Sequence, residues 1–275
     1  MNGIGYKIKK TILYILLILL SVVCMFPFLL MIVNATRSGS EIMKSFTLIP
    51  SVYLKENWAT VFKYFNLFLG MWNSLKVAVP STLLCAYFSA MTAYALAMYK
   101  FKGNKVLFMT ILIFMMIPGQ LGLIGFYNLC TKLHLVNSYI PLIIPAIASP
   151  GTVFFLRQYV LSVMPPSLIE AARIDGLSEF GIFWKIMLPQ VKPAVITLVI
   201  LSVNGSWNDL LWPMIVTSST EMRTLANGLA LFIGQNTIEY GAAFAGALVS
   251  LLPMFVLYMF GQKYFVEGMS SGLKG

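Results

Sequence analysis

Six apolar segments, each near the length of a membrane-crossing helix, recur along this chain and leave it few ways to fold. They lie at about 11–33, 72–98, 106–126, 139–160, 191–215 and 242–264. A helix of about 20 apolar residues crosses the hydrocarbon core of a bilayer. The run from Thr11 to Val33 holds 23 residues without a charge. Its basic start imitates a secretory signal, but it is too long, and no small-x-small cleavage site follows it at the right distance. It reads as a retained first helix. Composition agrees: 59% of residues are hydrophobic and 10% charged, against roughly half and a quarter in soluble domains. The expected fold is all-α, a polytopic membrane protein with six transmembrane helices in a single transmembrane domain, residues 1–275.

Breakers inside these segments are compatible with spanning. Pro118-Gly119 interrupts the third, and Pro141, Pro145 and Pro150 punctuate the fourth. In a helix bundle, neighbouring helices and polar side chains satisfy the freed backbone groups. Ala90, Ala93, Gly241, Ala245 and Gly246 let helices approach closely.

The formal net charge is +10, yet nucleic acid is excluded as a partner, because the basic residues sit between the apolar runs as topology signals do. Six spans put both termini on one side. That side gathers Lys7, Lys9, Lys10, Lys100, Lys102, Lys105, Arg157, Arg173, Lys185, Lys192, Lys263 and Lys274. The other gathers Arg37, Lys44, Lys55, Lys63, Lys76, Lys132 and Arg223. Twelve against seven makes the first side cytoplasmic, in a multi-pass protein of a bacterial-type cell membrane. Lys100, Lys102 and Lys105 read as a solvated turn that fixes this orientation. Cys24, Cys85 and Cys130 form no CxxC pair, and His134 is the single histidine. The cysteines read as small hydrophobes, and a multi-histidine metal site is excluded.

Residues 161–190 form a cytoplasmic loop with a pattern of its own. Ser167 followed by Glu170 after the pair Pro165-Pro166 fits a capping box that opens a helix at Ser167. Gly176 is placed to end that helix in a left-handed cap. A second helix is expected from Ser178 through Phe180, Ile182, Phe183, Ile186 and Leu188 to Pro189, feeding directly into the fifth span. The product is a helix-turn-helix at the membrane surface. Ala171 and Ala172 offer a flat face for a groove on another protein, with Glu170, Arg173 and Asp175 to fix its register. By physics alone, an amphipathic surface loop without a partner accounts for the pattern equally well.

The loop resembles the EAA signature of binding-protein-dependent ABC importer permeases. That signature is E-A-A, three residues, G, nine residues, then I-x-L-P. Here Glu170-Ala171-Ala172, Gly176 and Ile186-Met187-Leu188-Pro189 meet every spacing. The resemblance implies a type I importer permease of the MetI-like fold, with this loop as the coupling helix seated in a cleft of an ATP-hydrolysing subunit. By resemblance, Glu170, Ala171, Ala172, Asp175, Gly176, Ile186, Leu188 and Pro189 form that docking element. A rigid helix joined tightly to a membrane helix turns a push at one end into rotation at the other. The chain has no GxxxxGK[ST] sequence, so no phosphate-cradling loop of the usual kind is expected. It is therefore a transport subunit rather than an enzyme. No cofactor is expected on this chain; ATP and magnesium belong to the partner ATPase.

Further features resemble the six-span permease of the maltose-type carbohydrate-uptake class. They are Trp72-Asn73-Ser74-Leu75, Ile117-Pro118, Trp207-Asn208 and Arg223-Thr224-Leu225. The tail, residues 265–275, ends Glu267-Gly268-Met269-Ser270-Ser271-Gly272-Leu273-Lys274-Gly275. This glycine-rich stretch is not expected to form a stable helix. It reads as a frayed end, or, by resemblance, as the segment that inserts between two ATPase subunits through Gly268, Ser271, Gly272, Lys274 and Gly275. In the fifth span, Asn204 and Asn208 lie four apart, hence on one face, flanked by Trp207 and Asp209. They line a translocation path or glue helices together. The implied partners are a second EAA-bearing permease, two ATPase copies and an extracellular solute-binding protein, which would dock on loops 34–71 and 216–240. The implied cargo is a sugar or oligosaccharide. Alternatives are a non-sugar solute such as a polyamine, phosphate or an osmolyte, or a secondary transporter. The last would need buried ionisable relays, and the spans offer almost none beyond Asp209.

Overall fold

The computed structural model describes residues 3–234 and 239–271. Fourteen α-helices follow one another among the described residues: α1 (Gly3–Ala35), α2 (Gly39–Lys44), α3 (Leu54–Tyr64), α4 (Leu67–Met98), α5 (Asn104–Met116), α6 (Leu123–Lys132), α7 (Ile140–Ile143), α8 (Pro150–Val163), α9 (Pro166–Ile174), α10 (Glu179–Ile182), α11 (Leu188–Trp207), α12 (Leu211–Val216), α13 (Leu225–Gly234) and α14 (Tyr240–Ser271). No strand occurs among these residues. Five helical runs are long and apolar enough to cross a membrane, and a bent pair brings the number to six.

The chain divides into two units, Met1–Leu67 with Leu229–Leu252, and Phe68–Gly228 with Pro253–Gly275. In the first unit α1 is apolar and exposed along most of its length, as a helix solvated by lipid is. After it the chain is pinned by polar groups. The Asn57 side chain on α3 donates to the carbonyls of Ala35 at 2.8 Å and Arg37 at 2.9 Å. Arg37 is not a solvated topology charge here. It is 4% exposed, and its guanidinium donates to the Glu41 and Ser45 carbonyls at 2.7 and 2.9 Å. Start of α14 and this turn meet at Gly241, where a Cβ would lie 2.4 Å from the Arg37 carbonyl oxygen. Only glycine fits so close an approach.

In the second unit Pro80, Pro193 and Pro253 lie inside continuous helices, while the prolines of the third and fourth spans set boundaries. The third span is not one straight helix. Ile117 is extended before Pro118, a single 3-10 turn follows at Gly119–Gly122, and α5 and α6 meet at 89°. The pyrrolidine ring disfavours α geometry for the residue before it and removes a backbone donor. The fourth span is likewise assembled from pieces: α7, a 3-10 turn at Ile144–Ile147, and α8. Pro141, Pro145 and Pro150 each sit in the first turn of their piece, where a missing N–H costs nothing.

The fifth helix departs from expectation at both ends. It begins at Glu179 and ends at Trp207, so residues 208–210 are a break before α12 rather than more helix. Pro189 does not stop it. A π-turn over Phe183–Met187 joins α10 to α11, and the Leu188 N–H reaches back to the Phe183 carbonyl. This wider turn lets Pro189 sit inside a continuous run without its α partner. Lastly, α14 continues through Gly268 to Ser271, so the tail is helical up to that point, contrary to the glycine-based expectation. Gly272, Lys274 and Gly275 lie outside the described residues.

Candidate functional site

The coupling element starts where α8 ends. Met164 is extended and buried, Pro165 is extended, and Pro166 takes the first helical position of α9. Proline's fixed φ favours that position. The helix therefore opens one residue before Ser167, and no side chain caps it. The expected capping box is absent because Ser167 already lies inside the first turn.

Its C-terminus is a Schellman motif. Gly176 has φ +81°. The Gly176 N–H donates to the Arg173 carbonyl at 3.1 Å, and the Leu177 N–H to the Ala172 carbonyl at 3.0 Å. Leu177 then packs on the same core as Ala172, the apolar contact that accompanies this motif. Ser178 caps the next helix, its hydroxyl accepting from the Gly181 N–H at 3.1 Å.

The two faces of α9 are unlike. Ile169 and Ala172 are each 3% exposed and belong to a core built from Tyr94, Leu156, Val160, Phe183 and Met187. Ser167, Glu170, Ala171 and Ile174 form the opposite stripe, all exposed, at the i, i+3, i+4, i+7 spacing of one helix face. Asp175 and Gly176 are exposed beside it. This divides the signature into two jobs. Ala172, Ile186 and Leu188 do not form an outward surface: Ala172 is a core residue, and Ile186 and Leu188 are half-buried against that core. Pro189 is exposed. Ile174, which sequence reasoning passed over, is 86% exposed at the tip of the outward stripe. Its signal was present as an aliphatic residue seven positions after Ser167.

A polar clamp ties this element to the α4–α5 turn. Arg173 Nε donates to Glu179 Oε1 at 2.6 Å and Nη2 to Oε2 at 3.3 Å. The Tyr99 hydroxyl donates to the same carboxylate, and the Arg173 guanidinium lies 5.5 Å from the Tyr99 ring. Burial first, and then donation to Glu179, push the Tyr99 hydroxyl well above its ordinary value. The hydrogen bond to Glu179 holds the Arg173 guanidinium more firmly protonated than usual. Tyr99 is fixed in turn by Asn104, whose side chain donates to its carbonyl at 2.9 Å. Rings continue inward: Tyr99 meets Tyr94 edge-on at 5.5 Å, and Tyr94 meets Phe183 at 6.0 Å. A displacement of α9 is thus opposed by packed side chains rather than by solvent.

The residues expected to line a path behave differently from one another. Trp207 is 3% exposed and faces the interior. Asn208 closes the end of α11, its side chain donating to the Asn204 carbonyl at 2.9 Å and side-chain oxygen at 3.0 Å. Asn204 and Asn208 are exposed. Asp209 does line a cavity, of about 350 Å³, together with Ser81, Cys85, Ser149, Ser202 and Ser206. These hydroxyls come from α4, α11 and the start of α8. Sequence reasoning missed them because lone serines in apolar helices carry no pattern until the helices are placed side by side.

At the opposite end of this unit two motifs meet. The Asn73 side chain donates to the Glu221 carbonyl at 2.6 Å and the Arg223 carbonyl at 3.0 Å. The Leu225 N–H donates to Ser74 Oγ at 2.9 Å. Asn137, with φ +60°, accepts from the Ser218 and Ser219 N–H groups through its side chain at 3.1 and 3.0 Å.

Comparison with known proteins agrees with this geometry. Residues 83–271 match the family described as binding-protein-dependent transport system inner membrane component. The chain is 37% identical over 278 residues to the arabinooligosaccharides transport system permease protein AraQ of Bacillus subtilis (strain 168), covering 98% of this chain and 96% of that one. It is 33% identical to a probable starch degradation products transport system permease protein AmyC of Thermoanaerobacterium thermosulfurigenes, over 96% and 97% of the two chains. A chain of the crystal structure of a bacterial ABC transporter involved in the import of the acidic polysaccharide alginate superposes with a TM-score of 0.77 at 22% identity, over 96% of this chain and 99% of that chain. With its spans, its EAA loop and these relatives in view, the chain belongs to the family of binding-protein-dependent transport system inner membrane components.

Proposed function

We propose that this chain forms half of the translocation pathway of an ATP-driven importer for a sugar or oligosaccharide, with both termini on the cytoplasmic side. The observation that carries the reading is the split character of α9. Its inner face is buried in the bundle, and its outer stripe of Ser167, Glu170, Ala171 and Ile174 is bare. A partner that pushes on the stripe moves the core with it. That partner is a pair of ATPase subunits holding ATP and magnesium. A second EAA-bearing permease completes the pathway, and an extracellular binding protein delivers the cargo. The sugar class is supported by the arabinooligosaccharide and starch-product relatives. The hydroxyl-lined cavity near Asp209 suits a polyhydroxylated solute.

The test is Glu170→Lys. Uptake is expected to be lost while the chain inserts at the wild-type level. Normal uptake at normal expression rejects the coupling role. Assaying malto- and arabino-oligosaccharides beside a polyamine and an osmolyte decides the cargo class, and uptake of the non-sugars alone rejects the sugar reading. Removal of residues 268–275 is expected to lower transport per ATP hydrolysed; an unchanged ratio rejects contact of the tail with the ATPase pair.

A further inference from the structure

A cavity of about 680 Å³ opens at the turn between α4 and α5. Lys100, Lys102, Lys105 and Arg157 line it, and no carboxylate does. The three lysines are exposed. Among the described residues the ion pair that forms is Arg173–Glu179, so these four cations are not neutralised by an acid. Arg157 is held in place by uncharged partners. Its Nε donates to the Leu96 carbonyl at 3.4 Å, its Nη1 to Gln158 Oε1 at 3.2 Å, and its guanidinium carbon stands 3.9 Å from the Phe108 ring centre.

What lies beside the cavity narrows its ligand. From its mouth α5 presents Val106, Leu107, Met109, Ile113 and Phe114 outward, each between 52% and 69% exposed. These residues continue for most of a helix about 20 Å long, at 1.5 Å per residue. A basic cavity that opens onto an apolar wall fits an amphiphile with an anionic head and hydrocarbon tails. Juxtamembrane cations attract anionic headgroups within about a Debye length. As part of the third span α5 faces hydrocarbon. An anion that enters the cavity from the bilayer therefore brings acyl chains to this wall, whereas a soluble anion uses the cations alone.

We propose that this cavity binds the phosphodiester headgroup of an anionic phospholipid, with its acyl chains lying along α5. Topology signalling alone requires only that the lysines be cytoplasmic. It requires neither a cavity nor a fixed arginine at its wall.

The assembled importer tests this in nanodiscs of phosphatidylcholine with a minor share of phosphatidylglycerol, followed by extraction and quantification of the lipid retained. Wild type is expected to retain phosphatidylglycerol about tenfold over its share of the disc, as four surface cations allow. The triple variant Lys100→Gln, Lys102→Gln, Lys105→Gln is expected to lose that enrichment. The corresponding triple change to Arg, which preserves topology, is expected to keep it. Arg157→Gln alone is expected to lower retention while it removes one of the twelve cytoplasmic cations and leaves the three lysines of the turn in place, and it carries the test if the triple variant fails to assemble. Equal retention by wild type and Arg157→Gln overturns the proposal, as does the absence of enrichment in wild type. Displacement of the lipid by millimolar inorganic phosphate assigns the site to a soluble anion and overturns the lipid reading. Protection of the lysines from amine modification by the ATPase subunits, independent of lipid, assigns the surface to protein and also overturns it.

Discussion

The two ends of the Phe68–Gly228 unit are held by different physics. At the coupling-loop end, α9 and α10 are fixed by side-chain packing: Ile169, Ala172 and Phe183 are buried among Tyr94, Leu156 and Met187. At the other end, loop backbones are fixed by directed hydrogen bonds: Asn73 donates to two carbonyls, and Ser74 and Asn137 accept from loop N–H groups. Close packing transmits displacement, because interiors are dense and resist compression. Hydrogen bonds to loop carbonyls and N–H groups fix a shape, but they let go one at a time. The first end is built as a lever, and the second as a shaped surface.

Three substitutions bear on that contrast, taken in decreasing order of effect. Ile169→Ala removes a buried side chain from the lever. It is expected to destabilise the unit by about 3 kcal/mol, and to lower both uptake and the thermal midpoint of the purified complex. A variant with unchanged midpoint would show that α9 is not anchored by its inner face. Asn73→Ala leaves two loop carbonyls without their donor, at a cost of about 2 kcal/mol. The surface reading expects uptake to fall because delivery of cargo weakens, with basal ATP hydrolysis kept. Loss of basal hydrolysis would erase the distinction between the ends. Tyr99→Phe removes one donor from the Arg173–Glu179 clamp, which is half exposed. Contacts of that kind are worth little in stability. An unchanged midpoint with a reduced ratio of transport to hydrolysis is expected, and a lowered midpoint would place Tyr99 among the packing residues.

The sequence located the lever but misjudged how it is made. The Ser167–Glu170 pair and Gly176 put a helix from Ser167 to Gly176, and Gly176 takes the left-handed conformation that its position demanded. Ser167 and Glu170 spelled a capping box, but the proline before them claimed the first helical position. A proline's fixed φ outweighs a serine's optional hydrogen bond. Ala171 and Ala172 read alike as letters. One faces solvent and the other is buried, since adjacent helix positions point about 100° apart. Pro189 read as a stop, and a π-turn absorbed it. Trp72-Asn73-Ser74 and Arg223-Thr224-Leu225 stood out separately. That they bind each other, some 150 residues apart, was invisible until α4 was placed against the loop.

By itself, the sequence determined that the chain crosses a membrane several times and carries a surface helix between its fourth and fifth spans. Run length against bilayer thickness settles the first point, because lipid offers no partner for an open backbone. Local spacing of glycine, proline and alanine settles the second. Only the tertiary structure decided which face of α9 is spent on the bundle and which is left for a partner, and that Ser81, Ser202, Ser206 and Asp209 share one cavity. Those outcomes depend on neighbours distant in the chain, and neither periodicity nor spacing along a single segment encodes what packs against it.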